Sequence, residues 1–301
     1  MSVPWYRQRW LHLALGFVVA VLAILWAGQR AAQGVQQNLD ARLSGAGAGA
    51  DAGLVAVEAS QLSALRGVTF TRGVGAALLA HDVRRLNRLV TPVQANSNVP
   101  MVDVVLPDGQ VELAVRSKGA PAPVASRAGL PAIQQSMREA QGPRGGRFTE
   151  VVIFRSGPTL MTIGPVMVGS TPVGAVLAMT PLADVLGQLS QQVAANLTAY
   201  AITGTPIATT APFRPVSVPP DTAKALIGGG AVVTRNLHGG FREMLGRLIV
   251  DHQAAAVLGA SLKDNSADTG VAVVLYAGLG LIGTVLILGT FLARFSRRNG
   301  T

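Results

Sequence analysis

Val99-Pro-Met-Val-Asp-Val-Val-Leu-Pro-Asp-Gly-Gln-Val-Glu-Leu-Ala-Val115 is the stretch at which the chain changes its period. Residues 99–106 and 111–115 are apolar and rich in valine, and Pro107-Asp-Gly-Gln110 separates them. Asp-Gly supplies the positive-φ positions of a tight turn, so the stretch predicts a β-hairpin. Upstream of it the spacing is helical. Between Val68 and Val93, Val74, Leu78, Leu79, Leu86, Leu89 and Val90 fall on one side and Arg84, Arg85 and Arg88 on the other, and Pro92 closes this helix within a turn or so.

Downstream, a loop from Ser117 to Gly129 leads to a short helix, Pro131 to Ala140, with proline tolerated in its first turn. Three strands follow at Arg147–Phe154, Thr159–Val168 and Val173–Met179. Thr180-Pro-Leu-Ala-Asp184 then reads as an N-cap, a first-turn proline and a first-turn acid, opening a helix to about Ala195. The same order returns in shorter form. Leu197–Ile202 and Pro206–Thr210 form a hairpin, Pro220–Ile227 a short helix, and Ala231–Asn236, Gly240–Val250 and Ala254–Leu262 three more strands. Ahead of both sets, Val35, Leu39, Leu43, Leu54, Val57, Leu62 and Leu65 keep largely helical spacing, which predicts a stalk. Its middle, Gly45-Ala-Gly-Ala-Gly-Ala50, is a weak point, since each glycine costs about 1 kcal/mol relative to alanine; one long helix through it is expected. The class is therefore α+β, two antiparallel-sheet modules on a long N-terminal helix.

The ends of the chain read as membrane spans. Val271 to Ala293 is about 23 residues without a charge, enough to cross a hydrocarbon core of roughly 30 Å, and Arg294, Arg297 and Arg298 follow it. Leu11 to Ala27 is a second apolar run, framed by Trp5, Tyr6, Trp10 and Trp26 and read as an uncleaved span. The short flanks hold five arginines and no acid, which predicts both termini on the cytoplasmic side of a plasma membrane and the middle outside. The expected layout is a cytoplasmic N-terminus at 1–10, a first transmembrane helix at 11–28, a stalk at 29–70, a membrane-distal module at 71–195, a membrane-proximal module at 196–266, a second transmembrane helix at 270–293 and a tail at 294–301.

Composition removes several function classes. Of the formal charge of +10, the flanks and Arg30 carry six, too little remaining on the central region for nucleic-acid binding. There is no cysteine, hence no lipoprotein anchor, thiol nucleophile, disulfide or cysteine-based zinc site.

The repeated order of helix, two strands, helix and three strands resembles the extracellular double-Cache, PAS-like sensor domain of bacterial membrane receptors. The local wording is similar too, in Ala199-Tyr-Ala-Ile-Thr-Gly-Thr-Pro-Ile-Ala-Thr-Thr210 and in Val173-Gly-Ala-Val-Leu-Ala-Met-Thr-Pro-Leu182. The resemblance covers roughly residues 33–263. It implies a ligand-sensing role, with the ligand held by the first module. The aromatic and acidic pocket pattern of the amino-acid-binding members is missing: Tyr200 is the only tyrosine of the central region, which has no tryptophan.

No catalytic or metal motif is present, and no enzyme, metal or cofactor is expected. His81, His238 and His252 are scattered; His81-Asp82 reads as a surface pair and Asp251-His252 as a solvated turn. For a ligand, the strand beginning at Arg147 matters most. One face presents Arg147, Thr149, Val151, Ile153 and Arg155, the other Phe148, Glu150, Val152 and Phe154. Arg155 is the leading candidate, as a clamp for a small anionic ligand through a carboxylate or phosphate, against the plainer reading of a strand-end arginine paired with Glu150 or Glu112. Thr162 and Arg116 are candidates on neighbouring strands. The partners expected are that ligand, the membrane, a second copy of the chain and a cytoplasmic output protein or fused output domain. Pairing of two copies would use Gly278, Gly280, Gly283 and Thr284 of the second span, with Val35, Leu39 and Leu43 of the stalk. The rival reading is a two-span envelope scaffold like the polysaccharide co-polymerases, whose outer domains are dominated by long helices.

Overall fold

The computed structural model describes the backbone of residues 5–298 and the side chains of residues 16–282, 284 and 285. The expected tails at 1–10 and 294–301, and Gly283 with its place in helix pairing, lie outside the described side chains. In chain order the elements are α1 (Trp5–Thr69), α2 (Val74–Leu79), α3 (Val83–Asn96), β1 (Met101–Val105), β2 (Val111–Arg116), α4 (Pro131–Arg138), β3 (Phe148–Phe154), β4 (Gly157–Val168), β5 (Thr171–Pro181), α5 (Leu182–Val193), β6 (Asn196–Tyr200), β7 (Pro206–Thr209), α6 (Pro220–Ile227), β8 (Val233–Leu237), β9 (Phe241–Val250), β10 (Gln253–Lys263) and α7 (Ser266–Arg298).

The chain divides into two compact units. The larger holds Leu43–Leu237 and Glu243–Ser261. It contains two antiparallel five-stranded sheets of the same order, β2-β1-β5-β4-β3 and β7-β6-β10-β9-β8. The repeat read from the sequence is thus a repeat of topology. α1 runs unbroken through its glycine-rich middle, 65 residues in all. At and just beyond it the helix lies close to α5: a β-carbon at Gly49 or Gly53 would crowd the side chain of Val193 or Leu189. Farther along, Leu65 and Val68 enter the core of the first module with Leu78, Leu86, Val102 and Val176. The opposite face of that sheet carries Met101, Val105, Met161, Leu177 and Met179 under Ile133 of α4. Strand alternation therefore sorts the first sheet into a face against α1 and a face under α4. In the second module, Leu43, Gly47 and Asp51 of α1 share a cavity of about 250 Å³ with Met244 of β9 and Leu258 of β10.

Two local expectations are corrected. The single helix expected over 68–93 is broken after Thr69, where Gly73 takes a left-handed φ of 95°, and again after Leu79, where the Asp82 side chain caps α3 by accepting from the Arg85 backbone N–H. Thr180 is not an N-cap: β5 runs through Pro181, and the Thr180 hydroxyl accepts a hydrogen bond from Gln61 of α1 instead.

The smaller unit comprises residues up to Arg42, residues 238–242 and the chain from Leu262 onward. Within it α1 and α7 meet at small residues, Gly28 lying against Val274 and Gly270. Arg242 pairs with Asp40 at 2.9 Å, and the Asp264 carboxylate caps α7 at the backbone N–H of Ser266. Among the described residues one helix, α1, has an apolar stretch long enough to cross a membrane; that of α7 is shorter, Ser266–Ile282. Phe17, Leu22 and Trp26 of α1 are exposed, as are Leu275, Leu279 and Ile282 of α7.

Candidate functional site

The site is organised by one acid in an apolar strand. Every residue of β1 is buried, and Asp103 is 0% exposed. An unpaired carboxylate there would cost several kcal/mol. Two arginines meet it. Arg116 is paired in register with Met101, which puts it on the same sheet face as Asp103, and its Nη1 contacts Oδ1. That nitrogen also donates to the carbonyls of Val115 at 2.9 Å and Val102 at 3.3 Å. Arg127, in the loop between β2 and α4, donates to Oδ2 from Nε at 3.1 Å and from Nη2 at 2.9 Å. Its guanidinium then lies over the Phe154 ring, 4.4 Å from the centroid.

Beside this triad a cavity of about 950 Å³ opens on the face under α4. That is the size of a small-molecule site. Met101, Met179, Val152 and Phe154 form its sheet side, and Pro121 and Leu130 of the loop close over them. Arg127 and Arg155 bring two cations to its lining, and no carboxylate is among the described residues that line it.

The five residues expected from sequence are divided by the sheet. Arg155 lines the cavity. β3 ends at Phe154, so Arg155 begins a two-residue turn into β4, and it lines the cavity together with Ile153. Arg116 is held by Asp103. Arg147 precedes β3 and covers the Phe70 ring at 5.1 Å. Thr149 and Thr162 are hydrogen-bonded to each other at 2.9 Å; the Thr162 hydroxyl donates to Gln61 Oε1 at 2.8 Å, and Gln61 Nε2 donates to the Leu160 carbonyl at 3.1 Å. This network ties α1 to the face away from the cavity. Asp103, Arg127 and Phe154 went unread in the sequence, although an acid inside Met-Val-Asp-Val-Val is itself a signal that a counter-charge must exist.

The second module treats the same face differently. Under α6, Tyr200 is fully buried and Glu243 is 1% exposed. The Tyr200 hydroxyl donates to Glu243 Oε1 at 2.7 Å, and Arg235 Nε donates to Oε2 at 2.7 Å. Arg235 also caps the carbonyls of Val216 at 2.6 Å and Ser217 at 2.9 Å. Burial, and next the negative charge of Glu243, push the Tyr200 phenol far above its ordinary range. Gly259 makes the arrangement possible, because a β-carbon there would strike the Glu243 carboxylate. The sheet face that bears the Asp103 triad in the first module thus bears a closed Tyr200–Glu243–Arg235 cluster in the second.

Asp251-His252 forms the expected turn, both residues left-handed with φ of 48° and 65°. It is not merely solvated, however. The Asp251 carboxylate pairs with Arg144 at 3.2 Å, and its backbone N–H donates to Glu58 of α1 at 3.3 Å. Burial pushes the Glu58 carboxyl up in pKa, against the bond from the Asp251 N–H, which pulls it down. His81 also has a left-handed backbone, φ 52°, and stands 3.3 Å from Glu112.

Glu150 is partly buried, and burial alone raises its pKa. The folded chain then binds this proton more tightly than the unfolded chain, so the group's contribution to stability falls as pH rises through the carboxylate range. Glu150→Gln is expected to raise the thermal midpoint at neutral pH and leave it unchanged below about pH 3.5, where both states are protonated. Equal gains at both pH values would refute the burial account.

No family model and no curated protein matches the sequence. Solved structures share its fold. One is the ligand-binding domain of the Campylobacter jejuni chemoreceptor Tlp3 in complex with L-valine, 10% identical, with a TM-score of 0.54 over 81% of this chain and 98% of that one. Another is the sensor domain of the V. cholerae histidine kinase DctB, 11% identical, with a TM-score of 0.52 over 77% of this chain and 98% of that one. At such identities the likeness is one of fold. The fold is the double-Cache, PAS-like sensor fold, two like-ordered sheets on one long helix.

Proposed function

We propose that this chain is a membrane-anchored sensor whose outer region binds a small ligand in the cavity of its first module and passes the change inward. The observation that carries this reading is the cavity of about 950 Å³ on the sheet of the first module, with an apolar floor and two arginines in its lining. The neighbours of known structure are ligand-binding and sensor domains rather than catalytic ones, which supports a sensor over an enzyme. Ten strands among the described residues weigh against a helix-dominated envelope scaffold. The two apolar helices, α1 and α7, are proposed as paired spans with both termini inside and the sheets outside. A second copy, joined along the helices, and a cytoplasmic output partner or fused output domain complete the proposal, because a ligand can act across the membrane only by shifting an element with two states.

Topology is the first test. The chain has no cysteine, so single cysteines are clean reporters. In intact cells a membrane-impermeant maleimide is expected to label Ser117→Cys and to spare Ser296→Cys until the membrane is permeabilised. Labelling of both without permeabilisation, or of the second alone, would discard the two-span layout.

A further inference from the structure

We infer that the cavity of the first module, taken as the ligand site proposed above, selects a monoanion with an apolar body and rejects an ammonium group. Asp103 is the one carboxylate of the triad, and it is fully buried behind Arg127. One of its oxygens faces Arg116 and the other takes two N–H donors from Arg127. Two guanidiniums against one carboxylate leave a net positive charge in a low-dielectric wall. Arg155 adds a second positive charge to the lining, and no carboxylate is among the described residues that line the cavity.

An ammonium entering this space would lose its water, meet like charge and find no counter-ion, which is the kind of mismatch that excludes a wrong partner. A carboxylate would meet Arg155, whose planar fork suits it. The remainder of the ligand would lie on Met101, Val152, Phe154, Met179 and Leu130, a surface that offers burial of hydrocarbon or of an aromatic ring. The chemistry assigned is therefore an aliphatic or aromatic monocarboxylic acid without an amino group.

Three probes that share a phenylethyl frame separate the charges: 3-phenylpropanoate, L-phenylalanine and 2-phenylethylamine, titrated calorimetrically into the full chain in lipid nanodiscs. The acid is expected to bind at least about tenfold more tightly than phenylalanine, and the amine more weakly still. Arg155 is exposed, so Arg155→Glu should fold normally; it is expected to weaken the acid at least about tenfold and to narrow or reverse its advantage over the amine. Phenylalanine binding as well as the acid, an amine that binds best, no heat from the acid, or an acid affinity indifferent to Arg155→Glu would each overturn the charge rule. Ala122→Trp, which fills the cavity from its loop side, separates this from failure of the site itself. An ammonium-bearing ligand lost in that variant keeps the site and sinks the charge rule. Any ligand, found by screening, whose binding survives it sinks the site.

Discussion

Asp103→Ala is expected to destabilise the protein by about 3–5 kcal/mol, the range for removing one partner of a buried ion pair and stranding the other. Here two guanidiniums are stranded. Arg116 is confined between strands by its bonds to the Val102 and Val115 carbonyls, and Arg127 is held over Phe154. Urea unfolding of the full chain in detergent micelles, followed by protease sensitivity of the first module, measures the loss. The double variant Asp103→Ala with Arg127→Ala should recover part of it, because one of the stranded charges is then gone. A loss below about 1 kcal/mol for the single variant would show that the triad is not needed to hold the loop on the sheet.

Glu243→Ala is the counterpart in the second module, and a loss of about 3–5 kcal/mol is expected for the same reason. Arg235 would keep its bonds to the Val216 and Ser217 carbonyls but lose its counter-charge, and the Tyr200 hydroxyl would be left buried with Arg235 as its remaining described partner. Tyr200→Phe deletes two hydrogen bonds, the one given to Glu243 and the one taken from Arg235, while leaving the ion pair intact, and should cost about 1–3 kcal/mol, less than Glu243→Ala. If Tyr200→Phe proved the more damaging of the two, the packing of the ring and not the charge pair would be what fills this module.

Much of this architecture could be read from residues alone, because period and turn chemistry are local. The hairpin at Pro107-Asp-Gly-Gln110, the Asp251-His252 turn and the repeat of helix and strands all follow from short stretches. The site was harder for a physical reason. Alternation along Phe148–Phe154 says which residues share a face, but not which face meets α1. Thr149 and Thr162 consequently read as pocket residues, although Thr162 bonds to Gln61, 101 positions away in the chain, and Thr149 bonds to Thr162. Arg155 depended on where β3 stops, and a shift of a single residue decides a side. Arg127 belongs to a loop of Pro, Ala and Ser whose path no local pattern dictates, so the counter-ion of Asp103 could be demanded but not named.

The continuous helix α1 also imposes an order of assembly on a growing chain. Everything the first sheet needs, including Leu65 and Val68, has been synthesised once Pro181 is made. The second sheet is different. Its strands begin at Asn196 and end at Lys263, yet the stretch of α1 that borders it, Leu43 to Asp51, was made before the first module began. That helix segment must wait for some 200 residues to emerge, much as the Asp251 N–H must find Glu58 across 193 positions. The first module is thus the template on which the second closes, and a nascent chain passes through a stage in which the apolar side of α1 near Leu43 has no sheet to cover it.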